Sequence, residues 1–203
     1  MNNKQLFAMV TGLGMWCFSQ LVAAAGPGYT YAELGYQHFD ADKYDGNGAR
    51  VNISYGVTGN IFLKMGYARL FVDATGLSGD IDVDRFNIGL GGHMALSDKI
   101  DALAVVSYLD NEYSGAISTE ADEGYQVDLG VRAMVSKKAE INATAIYRHM
   151  ALTSAFGVAD DEDVGFELGT VIKMKKDFHF TGNVSYFDEA EETGVFAGIR
   201  LEL

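Results

Sequence analysis

Apolar and polar residues alternate one by one along most of this chain. Between Ala49 and Val57 every odd position is apolar, and every even position is polar or glycine. The same alternation returns in 125–135 and in 195–203. Because a two-residue period places successive side chains on opposite faces of a strand, these segments predict β-strands with one apolar and one polar face.

The alternation recurs often enough to build a whole domain. We count ten segments: 28–39, 48–57, 61–72, 82–96, 100–111, 124–135, 140–151, 163–175, 178–188 and 194–203. Short turns (58–60, 97–99, 136–139, 176–177) alternate with longer loops near 40–47, 73–81, 112–123, 152–162 and 189–193. Short turns on one rim and longer loops on the other are typical of a transmembrane β-barrel. The predicted fold class is therefore all-β, an antiparallel up-and-down transmembrane β-barrel with ten strands, eight being the alternative.

The position of the charges separates this barrel from a soluble β-sandwich or a lipocalin-like barrel, which also alternate. A Lys or Arg that faces lipid at the bilayer midplane costs about 2–4 kcal/mol, and the apolar face keeps charge out of mid-strand. Arg69 is the exception, so we expect a bulge or an interface position there. The polar face predicts a lumen ion-pair network of Glu33, Arg50, Lys64, Arg85, Asp101, Asp128, Arg132, Glu140, Arg148, Glu167, Lys173, Arg200 and Glu202.

The first twenty-five residues have the pattern of a secretory signal peptide. Lys4 is the only charge before Glu33, an apolar stretch covers 6–22, and three alanines precede Gly26. We expect cleavage between Ala25 and Gly26, which leaves 26–203 as the barrel domain. A single membrane anchor is the alternative, although glycines interrupt the stretch and no basic cluster follows it.

The net charge of −13, from 15 basic and 28 acidic residues, argues against nucleic-acid binding. The single cysteine excludes a cysteine-rich zinc site and a disulfide framework. Most acids fall in the long loops, whereas the predicted lumen set is nearly balanced. We therefore expect a mostly plugged lumen and an anionic outer rim that either is simply solvated or attracts divalent cations bridging to lipopolysaccharide phosphates. Tyr44 breaks a loose calcium-loop pattern at 40–46, so no cofactor and no dedicated metal site are predicted.

Several motifs resemble those of small Gram-negative outer-membrane β-barrel proteins, the porin-family or OmpA-like barrels that include ten-stranded vesicle-associated members: 55–61, 86–91, 96–100, 129–132 and 194–201. The resemblance implies an outer-membrane location, contact with membrane lipid and lipopolysaccharide, and insertion by the barrel assembly machinery, which reads the last strand. Leu203 stands where the family usually ends in an aromatic residue. With no further domain after 203, the resemblance does not imply peptidoglycan anchoring.

Enzymatic activity is the weaker functional reading, since some small barrels are proteases or lipid-modifying enzymes. A hydrolase built on His149 needs a serine and a carboxylate, such as Ser154 and Asp110, and the Asp82 and Asp84 pair would suit an aspartate-based protease. The remaining histidines are His38, His93 and His179. Nothing in the sequence brings these groups together, so we predict a non-enzymatic barrel with a structural or interaction role. The alternatives are a narrow, weakly cation-preferring channel and an adhesin or surface-recognition protein acting through loops 112–123 and 152–162.

Overall fold

The computed structural model describes residues 27–41, 44–74, 81–115, 120–154 and 157–203, and in them ten antiparallel strands close into one barrel. Each strand pairs with its neighbours in sequence, and the first pairs with the last. The strands are β1 (Tyr31–Ala41), β2 (Tyr44–Gly56), β3 (Ile61–Ala74), β4 (Ile81–Ser97), β5 (Ile100–Gly115), β6 (Glu120–Met134), β7 (Ala139–Ser154), β8 (Gly157–Lys173), β9 (Phe178–Phe187) and β10 (Glu192–Glu202). The predicted fold class and the count of ten strands are confirmed. The predicted signal peptide and its cleavage site lie outside the described residues.

No helix among the described residues is long and apolar enough to cross a membrane.

The register of the strands fixes the width of the barrel. A path of directly paired residues that leaves β3 at Ile61 crosses all ten strands and returns to β3 at Asp73, a stagger of twelve residues. With a rise of about 3.3 Å per residue and strands about 4.8 Å apart, this stagger tilts the strands by about 40°. The wall then lies about 10 Å from the axis, so inward side chains from opposite walls meet in the middle.

The outer surface of the barrel is an apolar belt. Outward positions carry large apolar side chains that are exposed in the isolated chain, such as Leu129 and Leu168, whereas most inward positions between them are polar or glycine. Tyr67, Tyr108 and Tyr147 lie on the outward face toward the long-loop end. This distribution is the one expected where lipid surrounds the middle of the wall and aromatic residues lie at its boundary.

The strands extend further on the long-loop side than the sequence analysis predicted. β8 begins at Gly157, within the predicted loop 152–162, and the turn between β9 and β10 covers only 188–191. The reason is that the alternation of polar and apolar residues continues, but with charged residues on the outward face and apolar residues on the inward face. In β3 the outward series changes from Met65 and Tyr67 to Arg69, while the inward series changes from Lys64 to Leu70.

Beyond this point β3 and β4 have an apolar inward face and charged residues on their outward face, as in a barrel surrounded by water. Phe39, Leu70, Val72, Ile81 and Val83 form part of a buried cluster inside the upper wall. Many of the charges that suggested loops, such as Asp82 and Asp84, therefore lie on the outward faces of strands that project beyond the belt.

Arg69 is the first outward charge above the belt on β3. Its Nη2 lies 2.9 Å from Oδ2 of Asp82 on β4, and the pairing of both strands is regular at this position. No bulge therefore relieves this position, and an interface position stays the prediction. The register irregularity in the β4–β5 pair lies instead between Ala95 and Ser97.

The belt predicts a position-dependent cost for charge on a single strand. We expect Leu129→Arg, near the middle of the belt on β6, to lower the free energy of unfolding by about 2–4 kcal/mol, because the guanidinium would face lipid. Glu123→Arg, on the same face of the same strand but above the belt, should change it by about 0–1 kcal/mol. Urea unfolding in phospholipid vesicles followed by circular dichroism measures both values, and equal costs would contradict the placement of the belt.

Candidate functional site

The lumen holds a cavity of about 240 Å³. Nine residues of the predicted ion-pair network line it: Glu33, Arg50, Lys64, Arg85, Asp128, Arg132, Arg148, Glu167 and Arg200. The other four (Asp101, Glu140, Lys173 and Glu202) point inward at the short-turn end, where each contacts another inward side chain. The structure thus brings the predicted residues together in one interior, although as several small clusters rather than as a single chain.

Arg132 and Glu140 form the most enclosed of these clusters. Nε and Nη2 of Arg132 donate to the two carboxylate oxygens of Glu140 at 2.7 and 3.0 Å, and both residues are buried. The remaining Nη1 donates to the carbonyl of Gly28 at 3.0 Å. A two-pronged pair of this kind fixes the orientation of the guanidinium plane, so Arg132 holds the chain that precedes β1.

A second cluster joins β10, β1 and β2 across the seam between the first and last strands. Arg200 Nε donates to Glu33 at 2.8 Å, and Asn52 Nδ2 donates to the other oxygen of the same carboxylate at 3.2 Å. Arg50 Nε in turn donates to Asn52 Oδ1 at 3.3 Å. Arg200 and Asn52 together lower the free-energy cost of burying Glu33, because each carboxylate oxygen has its own donor.

Further ion pairs lie above and below these two clusters. Their shortest nitrogen–oxygen distances are 3.7 Å for Lys64–Asp128, 3.6 Å for Arg85–Glu192, 3.0 Å for Arg148–Asp163 and 3.6 Å for Lys173–Glu202. The sequence pattern places Asp163 and Glu192 with the acidic loops, so their position inside the lumen is seen only in the structure. Their parity was the available signal, because each lies two residues before an inward glycine, Gly165 or Gly194.

Every lumen arginine also stacks on an inward aromatic ring. The distances from the guanidinium carbon to the ring centre are 5.1 Å for Arg50–Phe196, 4.9 Å for Arg85–Phe39, 4.6 Å for Arg132–Tyr29, 4.1 Å for Arg148–Phe187 and 3.9 Å for Arg200–Tyr31. Cation–π contacts of this kind are stronger when shielded from water. The aromatic rings therefore both fill the lumen and hold the arginines in place.

Glycines on neighbouring strands make room for three of these rings. Phe39 packs against Gly46, Phe187 against Gly165, and Phe196 against Gly35. A Cβ placed at Gly165 would fall 2.6 Å from the Phe187 ring, a distance that side chains do not tolerate. The glycine-rich polar face of the sequence thus provides the floor on which aromatic residues and arginines pack.

The short segment before β1 lies inside the lumen at its short-turn end, whereas the sequence analysis placed 28–30 in the first strand. Tyr29 is buried, and its ring stacks on His93 with centres 3.8 Å apart. Burial raises the pKa of Tyr29, so the hydroxyl stays protonated and donates to Asp101 at 3.2 Å. The backbone carbonyl of Tyr29 accepts a hydrogen bond of 2.7 Å from Ser54. Residues of four strands, β2, β4, β5 and β6, therefore contact this segment when the Arg132 bond to Gly28 is included.

Two of the four histidines point into the lumen and two lie on the outward face. His93 and His179 are inward residues beside Asp101 and Glu202, at 3.4 and 3.3 Å. His38 is an exposed outward residue of β1.

His149 lies on the outward face, against Tyr125 and 3.9 Å from Glu162. The Ser154 side chain is outside the described residues, and Asp110 pairs in register with Glu123 rather than with the strand that carries His149. Asp82 contacts Arg69, and Asp84 accepts a hydrogen bond from Tyr67. These contacts occupy the Asp82 and Asp84 side chains and match the surroundings of residues at a membrane boundary.

Within the part of the chain that the structure describes, no group of three or more histidine, cysteine or acidic side chains is placed to hold a metal ion. The loose calcium-loop pattern at 40–46 includes residues 42 and 43, which lie outside the described residues.

Comparison with known proteins identifies the same kind of barrel. Residues 8–173 match the sequence profile of the outer membrane protein beta-barrel domain family. Among curated proteins, no sequence is similar enough to be recognised as a relative.

Solved structures are similar in fold at low sequence identity. An outer membrane channel from Pseudomonas putida F1 matches with a TM-score of 0.55 and 11% identity, covering 86% of this chain and 96% of that chain. The NanC porin matches with a TM-score of 0.54 and 8% identity, covering 85% and 100%. The translocator domain of the autotransporter NalP from Neisseria meningitidis matches with a TM-score of 0.50 and 11% identity, covering 98% and 95%. At such identities the likeness shows the fold alone.

The buried Arg132–Glu140 pair predicts a strongly non-additive mutant cycle. We expect Arg132→Met to lower the free energy of unfolding by about 3–5 kcal/mol, because it leaves a buried carboxylate without its partner. The double variant R132M/E140L should recover most of this loss, since an apolar pair carries no stranded charge.

Lys173→Met provides the matched control. Its side chain is 32% exposed, and its nitrogen lies 3.6 Å from the Glu202 carboxylate, which is a long and weak ion pair. We therefore expect the free energy of unfolding to change by about 0–1 kcal/mol. Urea unfolding followed by circular dichroism compares the variants, and a double variant no more stable than R132M would refute the pairing as the source of the effect.

Proposed function

This chain belongs to the outer membrane protein beta-barrel domain family and is a β-barrel of the Gram-negative outer membrane, and we propose that its role is structural or interactive, with a lumen that is closed at rest. The observation that carries this proposal is the segment of Gly28 and Tyr29 inside the short-turn end. Four strands bind it through hydrogen bonds and ring stacking. A segment held at so many points is a plug rather than a flexible tail.

Two further features support a closed lumen. Phe62 and Val105 pack with Tyr29 into a second buried apolar cluster, which thickens the plug at the same end. Toward the other end, the apolar cluster around Leu70 fills one side of the projecting wall. Between them the cavity of about 240 Å³ has room for a small group of water molecules but not for a wide column.

A narrow cation path is the second candidate, and the charge of the interior favours it. Asp122, Asp163 and Glu192 are buried inward carboxylates that were not in the predicted balanced set. With them the interior carboxylates outnumber the lysines and arginines, and an excess of negative charge along a polar cavity favours cations. This path would conduct only when Tyr29 leaves its place.

The outer rim supports contact with lipopolysaccharide, and we propose that divalent cations mediate it. Above the belt, outward carboxylates such as Glu112, Glu123 and Glu162 are exposed. Carboxylate oxygens and lipopolysaccharide phosphates are both hard ligands suited to divalent cations. We also propose a non-enzymatic role and insertion by the barrel assembly machinery, both of which membership of this barrel family supports.

Planar-bilayer recording tests the closed resting lumen. We expect the purified wild-type barrel to give no steady conductance, and Tyr29→Ala to give reproducible conductance steps, because the substitution removes the ring that fills the short-turn end. Tyr36→Ala is the matched control, since Tyr36 faces outward and is 57% exposed. It should stay silent.

Heat-modifiable gel migration must show that all three proteins are folded. Steady wild-type currents that change when Arg132 or Glu167 is altered would overturn the closed lumen and favour the channel. Silence in both the wild type and Tyr29→Ala would show that Tyr29 is not the plug.

A further inference from the structure

Neighbouring hairpins reach different heights on the long-loop side of the barrel. β8 starts at Gly157 and pairs with β7 along its whole length. Its pairing with β9 begins only at Gly165, which faces Phe187, the last residue of β9. With a rise of about 3.3 Å per residue and a tilt of about 40°, the β7–β8 hairpin stands roughly 18 Å higher than the β9–β10 turn. One long edge of β8 therefore rises above a short neighbour.

The backbone of this edge faces a gap. The amide of Asp188 donates to the carbonyl of Val164 at 3.0 Å, which is the last bond on the β9 side. In an antiparallel strand, every second residue directs both its N–H and its C=O to the same side. The next residues facing that side are Glu162, Asp160 and Val158, and within the described residues they have no strand partner there.

The β8 edge of the gap and the turn that forms its floor are both rich in acidic residues. The edge has the sequence Asp160-Asp161-Glu162-Asp163, of which Asp163 is the acid buried against Arg148. The floor is the β9–β10 turn, with Asp188, Glu189 and Glu191 exposed. Free strand edges invite pairing, and charge on the edge decides which chains are accepted.

The negative charge around the β8 edge restricts the binding partner to one class of chain. A second copy of this barrel would bring its own acidic edge against this one, and the like charges would repel each other. An extended segment rich in lysine or arginine meets the free backbone groups and opposite charge at the same time. We propose that the free edge of β8 at 158–162 binds an extended basic peptide segment of another protein, which adds one strand to the wall.

Binding by strand addition combines two separable contributions. Backbone hydrogen bonds to Glu162, Asp160 and Val158 give affinity that does not depend on salt, and the surrounding carboxylates give attraction that salt weakens. The site lies outside the lumen and does not depend on whether the lumen is open. It also gives the projecting β7–β8 hairpin a role that anchoring in lipid does not require.

A short synthetic peptide in which lysine and valine alternate is a suitable probe. Its affinity for the folded barrel is measured by fluorescence anisotropy, with the barrel in phosphatidylcholine nanodiscs that contain no lipopolysaccharide. Asp160→Pro removes one edge N–H and places a ring where the added strand would lie. Asp160→Asn removes the same charge and leaves the backbone unchanged. We expect Asp160→Pro to weaken binding about tenfold and Asp160→Asn about twofold, the latter with a smaller salt dependence.

Two control peptides separate pairing from attraction. A peptide with glutamate in place of lysine should not bind, and the lysine peptide methylated at alternate backbone amides should bind about as weakly as the unmodified peptide binds Asp160→Pro. Gel migration and circular dichroism confirm that both variants remain folded barrels. Equal losses in Asp160→Pro and Asp160→Asn, or full affinity of the methylated peptide, would overturn strand addition. Binding of the lysine peptide that both variants leave unchanged would place the peptide elsewhere.

Discussion

The rest of the structure depends on closing ten strands around a space only about 10 Å in radius. Lipid outside excludes unpaired backbone groups, so the wall must be continuous, with β1 bonded to β10. The same closure forces inward side chains together, where a lone charge would be costly. Each inward cation is therefore found beside a carboxylate, an amide or a ring. Arg132 contacts three kinds of partner: the Glu140 carboxylate, the Gly28 carbonyl and the Tyr29 ring.

Glycine, aromatic ring and arginine act together in this interior. Glycine at Gly46 or Gly165 lets a phenylalanine of the neighbouring strand lie flat against the wall, and an arginine then covers the ring. The ring lowers the cost of removing the guanidinium from water, and the ion pair fixes its direction. Dense packing of this kind leaves little free volume, so the polar cavity in the lumen is small.

The sequence alone predicts the barrel, its ten strands and the inward parity of its charges, because a two-residue period is a local property. It does not predict where lipid gives way to water along a strand. In β3 the alternation simply changes sense between Tyr67 and Leu70, and the charged outward positions beyond it look like loop residues. For the same reason Asp163 and Glu192 were assigned to loops, although their parity with Gly165 and Gly194 places them inside. The inward turn of Tyr29 depends on four separate strands, so no local pattern reveals it.

The change of sense along the strands explains why the two ends of the barrel differ in character. On the short-turn side the wall ends near the edge of the belt, and Tyr29 and its partners lie in the interior there. On the other side the wall continues into water, where its outward face no longer needs to be apolar and its edges no longer need to be covered. A strand edge that lipid would forbid, such as that of β8 above Val164, is allowed only in this projecting region. The proposed strand-addition site and the membrane-spanning belt therefore occupy different lengths of the same strands.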